Sequence, residues 1–363
     1  MKTKAMLVSI SFLASMSASG LAHANSGGGW HIGDRVVSLS APSAINTITV
    51  PPGPHRIVVA VIDSGVISSH PSLSGTLLSG YDMISGDRNI RKKRSNDYSP
   101  DPRNSRCGER LVSSSFRTHG TEVASLIAAN GQAGMKGINP NAKIVPIRAF
   151  GVCGMSIHDM IDAIKWAAGV NVPNAPTNPH PARIINISIS GGSKICSPRL
   201  QEAIDLALAK NIFVVAAAGN NFNRPLEEPA NCKGVISVGA VSADNRVERY
   251  SALDSRTVIY APGGGQRIKN SSNWGVNKLR VATFEQTVVG GEAPVVKEAA
   301  VGTSFAAPVV SGYISLWLSH HPNQTPKDWM AMLPSIQRPV PPVDKCPKCV
   351  PASLVSNLHN RSR

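Results

Sequence analysis

The chain has 363 residues, of which 42% are hydrophobic, 5% aromatic and 16% charged. That length supports one large domain with a sizeable buried core plus processing segments, and does not call for a second full domain. Its 37 Lys and Arg against 22 Asp and Glu give a formal charge of +15, which attracts anionic surfaces and acidic polypeptides; with no zinc finger, helix-turn-helix signature or aromatic-rich basic sheet, the excess does not point to nucleic acid.

Lys2 and Lys4 precede an apolar run over residues 5–21, and Ala22-His23-Ala24 has the small-x-small form of a cleavage site. Residues 1–24 are therefore expected to be an export signal, cut after Ala24. Ser and Gly interrupt the run and no stop-transfer pattern follows, so it does not read as a membrane anchor. No later stretch is long and apolar enough to span a bilayer. Residues 25–55 are rich in Gly, Ser and Pro, with one strand-like piece at 35–39. Six consecutive apolar residues at 57–62 then end on Asp63-Ser64-Gly65. This reads as a fully buried strand with an acid at its carboxyl end and a turn behind it, the end at which sites form in open parallel sheets.

A charged, loop-rich stretch follows, carrying Arg91-Lys92-Lys93-Arg94 and then Asp97, Asp101 and Cys107. His119-Gly120-Thr121-Glu122-Val123-Ala124 opens a helix of small and apolar residues that runs to about Ala129. Further strands are expected at 143–148, 183–189, 212–217, 235–241 and 258–261. Helices are expected at 157–168, capped by Ser156, and at 198–210. Strands alternating with helices imply an α/β fold, a parallel sheet flanked by helices on both faces. Gly302-Thr303-Ser304-Phe305-Ala306-Ala307-Pro308 leads into a buried helix over 309–318, and a Pro-rich, then polar tail follows Gln337. A serine there has its N–H at a helix N-terminus, where the dipole favours negative charge. That suits a nucleophile whose attack creates an oxyanion.

Asp63, His119 and Ser304, in that order, with the strand at 212–217 running into Ala218-Gly219-Asn220, resemble the subtilisin-like serine proteases. The resemblance covers roughly residues 56–338 and is nearest to the secreted bacterial enzymes with six cysteines. It implies a subtilisin-like fold for a peptidase domain at 56–338, with a Cys- and Pro-containing tail at 339–363. It also implies a secreted serine endopeptidase in which Ser304 attacks, His119 is general base and Asp63 orients it. The Asn220 amide and the Ser304 N–H would form the oxyanion hole. An extended substrate would lie between Ser188, Ile189, Ser190 and Gly191 on one side and Val152 and Gly154 on the other, close to Ala217 and Gly219. Such strand-like pairing is largely indifferent to side chains.

No cofactor is expected, and the partners are protein or peptide substrates of a monomer. Relatives place an acidic, calcium-binding insertion where residues 91–94 are basic. That argues against a structural calcium here, although Asp97 and Asp101 remain as oxygen ligands. Six cysteines in an exported chain imply disulfides, and the sequence alone allows fifteen connectivities. The resemblance suggests Cys107–Cys153, Cys196–Cys232 and Cys346–Cys349. The family's folded prodomain is not expected, since residues 25–55 are too short for one. The family usually has glycine where Ser190 stands, which narrows the substrate's approach. Leu226-Glu227-Glu228-Pro229 falls near the floor of the family's specificity pocket. Either acid there would favour Lys or Arg; otherwise both belong to a solvated loop. Two other classes remain. A catalytically silent binding protein on the same fold would ordinarily have lost a triad residue. An esterase of the α/β-hydrolase type would need Gly-x-Ser-x-Gly and the order Ser, Asp, His.

Overall fold

The computed structural model describes residues 52–84, 115–151, 154–221, 224–241, 247–254, 256–265, 279–286 and 292–336. The strands are β1 (Val58–Asp63), β2 (Tyr81–Asp82), β3 (Lys143–Arg148), β4 (Ile184–Ile187), β5 (Phe213–Ala217), β6 (Ile236–Val241), β7 (Ile259–Pro262), β8 (Leu279–Gln286) and β9 (Glu292–Ala300). The helices are α1 (Ser115–Ala128), α2 (Ile157–Ala167), α3 (Pro198–Ala209), α4 (Thr303–His320) and α5 (Pro326–Ile336). Seven strands form one sheet in the order β2-β3-β1-β4-β5-β6-β7, with every pairing parallel. Strands β8 and β9 form a separate antiparallel pair.

Strand β1 shows why these residues form a central strand. Val59 and Val61 belong to one core layer, Ala60 and Ile62 to the other, and all four are fully buried. Side chains alternate across a strand, so a run that is apolar at every position suits a strand covered on both faces. Strand β5 repeats the pattern, with Phe213, Val215 and Ala217 in the first layer and Val214 and Ala216 in the second. Helices α1 and α4 contribute Leu126, Ile127, Val309 and Ile314 to the first layer. Helices α2 and α3 contribute Ile161, Ile164, Leu200 and Ile204 to the second. Each fully buried Leu or Ile is worth about 1.5–3 kcal/mol relative to exposure.

The expected architecture is the observed one, and most element ends shift by only a residue or two. Helix α1 is an exception. It starts at Ser115, so His119 lies a turn inside it; the polar lead-in of Ser115, Arg117 and Thr118 has no apolar period to announce a helix. Helix α2 is capped as expected, with the His158 N–H donating to Ser156 Oγ at 3.2 Å. Strand β2, the β8–β9 pair and helix α5 were not expected. β2 is two residues long, and the pair carries charges such as the exposed Glu285–Lys297 bridge rather than an apolar run.

Helix α4 is locked to the sheet by polar contacts as well as by its apolar flanks. Ser311 Oγ donates to Asn186 Oδ1, and Asn186 Nδ2 donates to Ser188 Oγ, both at 2.9 Å. All three residues are buried. Buried polar groups are costly unless bonded, so this chain fixes the helix that carries Ser304 against the segment that follows β4. Of the expected disulfides, Cys196–Cys232 is formed; the other two fall on Cys107, Cys153, Cys346 and Cys349, which lie outside the described residues. So do the export signal, most of residues 25–55, the basic run at 91–94 with Asp97 and Asp101, and the tail. Among the described residues no helix is long and apolar enough to cross a membrane.

Candidate active site

Strand β1 delivers Asp63 to the carboxyl edge of the sheet, where β3 and β4 flank β1 on either side. In open sheets this reversal of strand order opens a crevice. Asp63 is fully buried. Its Oδ1 accepts hydrogen bonds from the Ser64 N–H at 2.7 Å and from His119 Nδ1 at 2.8 Å. Helix α1 brings the imidazole there because Gly120 has no side chain. A Cβ on Gly120 would stand 2.1 Å from the Gly65 carbonyl oxygen and 3.2 Å from Asp63 Cβ. The Gly120 N–H also donates to Ser64 Oγ at 3.0 Å, so the turn after β1 and the start of α1 hold each other.

Burial by itself would push the His119 pKa down. The charge and hydrogen bond of Asp63, with the charge of Glu122, outweigh it and leave the pKa raised above 6.5. Nothing in the sequence around Glu122 marks it for this role. Its Oε1 accepts from Thr118 Oγ1 at 2.9 Å and from Thr283 Oγ1 at 2.6 Å, which ties α1 to β8.

Ser304 is the second residue of α4 and is half-buried. The next side chain, Phe305, places its ring 5.2 Å from the His119 ring, so the serine and the imidazole share one neighbourhood. Gly302 precedes the helix at φ 147°, a backbone open essentially to glycine. A Cβ there would come within 3.2 Å of Asn220 Nδ2. The Asn220 side-chain oxygen Oδ1 accepts from the Thr303 N–H and from Thr303 Oγ1, each at 2.9 Å. Two donors on Oδ1 fix the amide's orientation and leave Nδ2 as its free-facing donor. Thr303 Oγ1 in turn accepts from the Gly219 N–H at 3.1 Å. Thr303 was missed in the sequence, where the only signal was a hydroxyl next to the serine.

The expected substrate walls fall where strands end. Ser188, Ile189, Ser190 and Gly191 continue β4, and Gly219 lies just beyond Ala217, the last residue of β5. Gly151 and Gly154 exchange a pair of backbone hydrogen bonds at 3.0 and 2.9 Å; Val152, between them, lies outside the described residues. The wall after β4 is clamped from outside. The Gly191 N–H donates to the Glu228 carbonyl at 3.0 Å, and the Glu228 N–H to the Ser193 carbonyl at 3.1 Å. The Cys196–Cys232 bridge spans the same two loops. Glu228 is 5% exposed and its Oε1 accepts from the Ser197 N–H at 2.6 Å, so it is not a solvated acid; its Oε2 lies 3.5 Å from the point where a Cβ on Gly192 would stand. Glu227 is half-buried.

A family model described as the subtilase family matches residues 55–337. This chain belongs to the subtilase family. The subtilase is 36% identical over 293 residues to an extracellular protease of Xanthomonas campestris, covering 78% of the chain and 48% of that protein. It is 33% identical to an extracellular basic protease of Dichelobacter nodosus, covering 72% of the chain and 43% of that protein. The chain thus spans about half the length of the curated relatives it matches. Among solved structures, proteases from Pseudoalteromonas arctica superpose with a TM-score of 0.68 at 33% identity, covering 85% of this subtilase and 91% of that chain.

Proposed function

We propose that this subtilase is an exported serine endopeptidase, acting as a monomer on protein or peptide substrates through an acyl-enzyme. The observation that carries the reading is the 2.8 Å hydrogen bond that buried Asp63 accepts from His119, beside a helix whose second residue is Ser304. Serine is too weak an acid to attack at neutral pH without a base. His119 takes its proton and later delivers it to the leaving amine, while Asp63 holds the other ring nitrogen and stabilises the imidazolium. The Asn220 amide and the Ser304 N–H receive the oxyanion. A donor already aimed in this way is worth about 2.7–4 kcal/mol of barrier. A water that gives its proton to His119 then attacks the acyl carbonyl, and the ester bond breaks as Ser304 takes the proton back. Side chains, backbone and water suffice for every step, so the reaction asks for no cofactor.

The test is labelling by a fluorophosphonate probe together with hydrolysis of matched peptide and ester substrates. Wild type is expected to label and to cleave peptides, and Ser304→Ala to do neither while remaining folded. A folded wild type inert to probe and peptides would be a binding protein. Cleavage of esters alone would make it an esterase.

A further inference from the structure

Beyond the sheet, β4 and β5 continue as residues 188–192 and 218–220, and the gap between them adjoins the proposed oxyanion donors. An acyl carbonyl held by Asn220 carries its own side chain on the adjacent carbon. On the proposed substrate path that side chain enters beside Gly219, the neighbour of Asn220, with the β4 continuation facing it. Ser190 occupies the gap. Its Oγ lies 3.0 Å and its Cβ 3.5 Å from the point where a Cβ on Gly219 would stand, and Ala252 Cβ lies 4.0 Å from that point.

A Cα–Cβ bond is about 1.5 Å long, so Ser190 Cβ is no more than about 5 Å from the Gly219 backbone. A layer of substrate carbon needs about 3.5–4.0 Å to each wall, or about 7–8 Å of clear separation. The Cβ imposes this limit whatever rotamer the hydroxyl takes. One residue further along, a Cβ on Gly191 would meet nothing within 4 Å. Glu228 anchors the wall through Oε1, which accepts from the Ser197 N–H, so a basic side chain, like a large apolar one, is kept out by the width of the gap at Ser190.

We propose that Ser190 is a specificity-determining residue. It closes the space for the side chain on the acyl side of the scissile bond, so cleavage follows Gly, Ala or Ser in preference to large apolar or basic residues. This rests on the endopeptidase reading above and adds the class of substrate.

The test offers the purified protein a series of tetrapeptide anilides that differ only in the residue before the scissile bond: Ala, Leu, Phe or Lys. Wild-type kcat/KM for Ala is expected to exceed that for Phe and Lys by at least about tenfold. Ser190→Gly should raise the Phe-to-Ala ratio by about tenfold or more, and Ser190→Ala, which keeps the Cβ, should preserve the wild-type order. A wild-type preference for Leu, Phe or Lys overturns the proposal and leaves the peptidase intact, as does an unchanged ratio in Ser190→Gly. Should Ser190→Gly fail to fold, the wild-type series still decides. Failure to cleave any anilide, with no probe labelling of Ser304, overturns the peptidase reading and this proposal with it.

Discussion

Glu122 lies three positions after His119 on α1, and its charge adds to that of Asp63 in raising the imidazole pKa. In the proposed mechanism the neutral imidazole is the general base, so activity should rise with pH only as it passes a value above 6.5. Glu122→Gln removes one of the charges that raise it, and the acid limb of kcat/KM should move to lower pH; an unmoved limb would show that Glu122 acts only through Thr118 and Thr283. Stability runs the other way. A histidine whose folded pKa is raised stabilises the fold fully below its unfolded value and loses that contribution as pH climbs through the folded value. Phe305 gives a second prediction. An aromatic ring does not form a sulfoxide, so wild type should keep its activity in mild peroxide, whereas Phe305→Met should lose most of it in a timed assay. The sequence displayed Asp63, His119, Ser304 and Asn220 because each stands in a short pattern of glycine, apolar and small residues. It did not display Glu122 or Thr303, whose roles depend on hydroxyls and amides that meet only in three dimensions.

Helix α1 can approach β1 only as closely as Gly120 allows. Gly120→Ala places a carbon 2.1 Å from the Gly65 carbonyl oxygen, so α1 must withdraw from the turn after Asp63. Overpacking of this kind costs about 1–3 kcal/mol, visible in denaturant unfolding. The displaced imidazole should lower kcat by about 100-fold or more. The disulfide between the loops after β4 and before β6 closes a sequence separation of 36 residues. Replacing both Cys196 and Cys232 by Ser should cost about 2–4 kcal/mol and raise KM more than it lowers kcat, since it frees the wall at Gly191 rather than the groups at Ser304. The buried strands were legible because a strand covered on both faces leaves an unbroken apolar run, as at Val59–Val61 and its neighbours. The β8–β9 pair was not, because it faces solvent on one side and takes its support from α1, through Ser125 Oγ and Glu122, far away in sequence.

Across the whole molecule the formal charge of +15, which becomes +13 if Lys2 and Lys4 leave with the expected export signal, acts at long range. An acidic protein substrate should be drawn to the surface faster than a neutral one. Its kcat/KM should therefore fall as salt shortens the screening distance from about 30 Å at 0.01 M to about 3 Å at 1 M. A neutral tetrapeptide anilide, assayed in parallel, should change little. The sheet order has a consequence of another kind. Strand β1 pairs with Lys143–Arg148 on one edge and with Ile184–Ile187 on the other. As the polypeptide leaves the ribosome, this apolar segment emerges well before either neighbour exists. Both of its edges stay open to mispairing through that interval. The strand that ends on Asp63 in the interior of the sheet is thus also the nascent segment whose two edges wait longest for their partners.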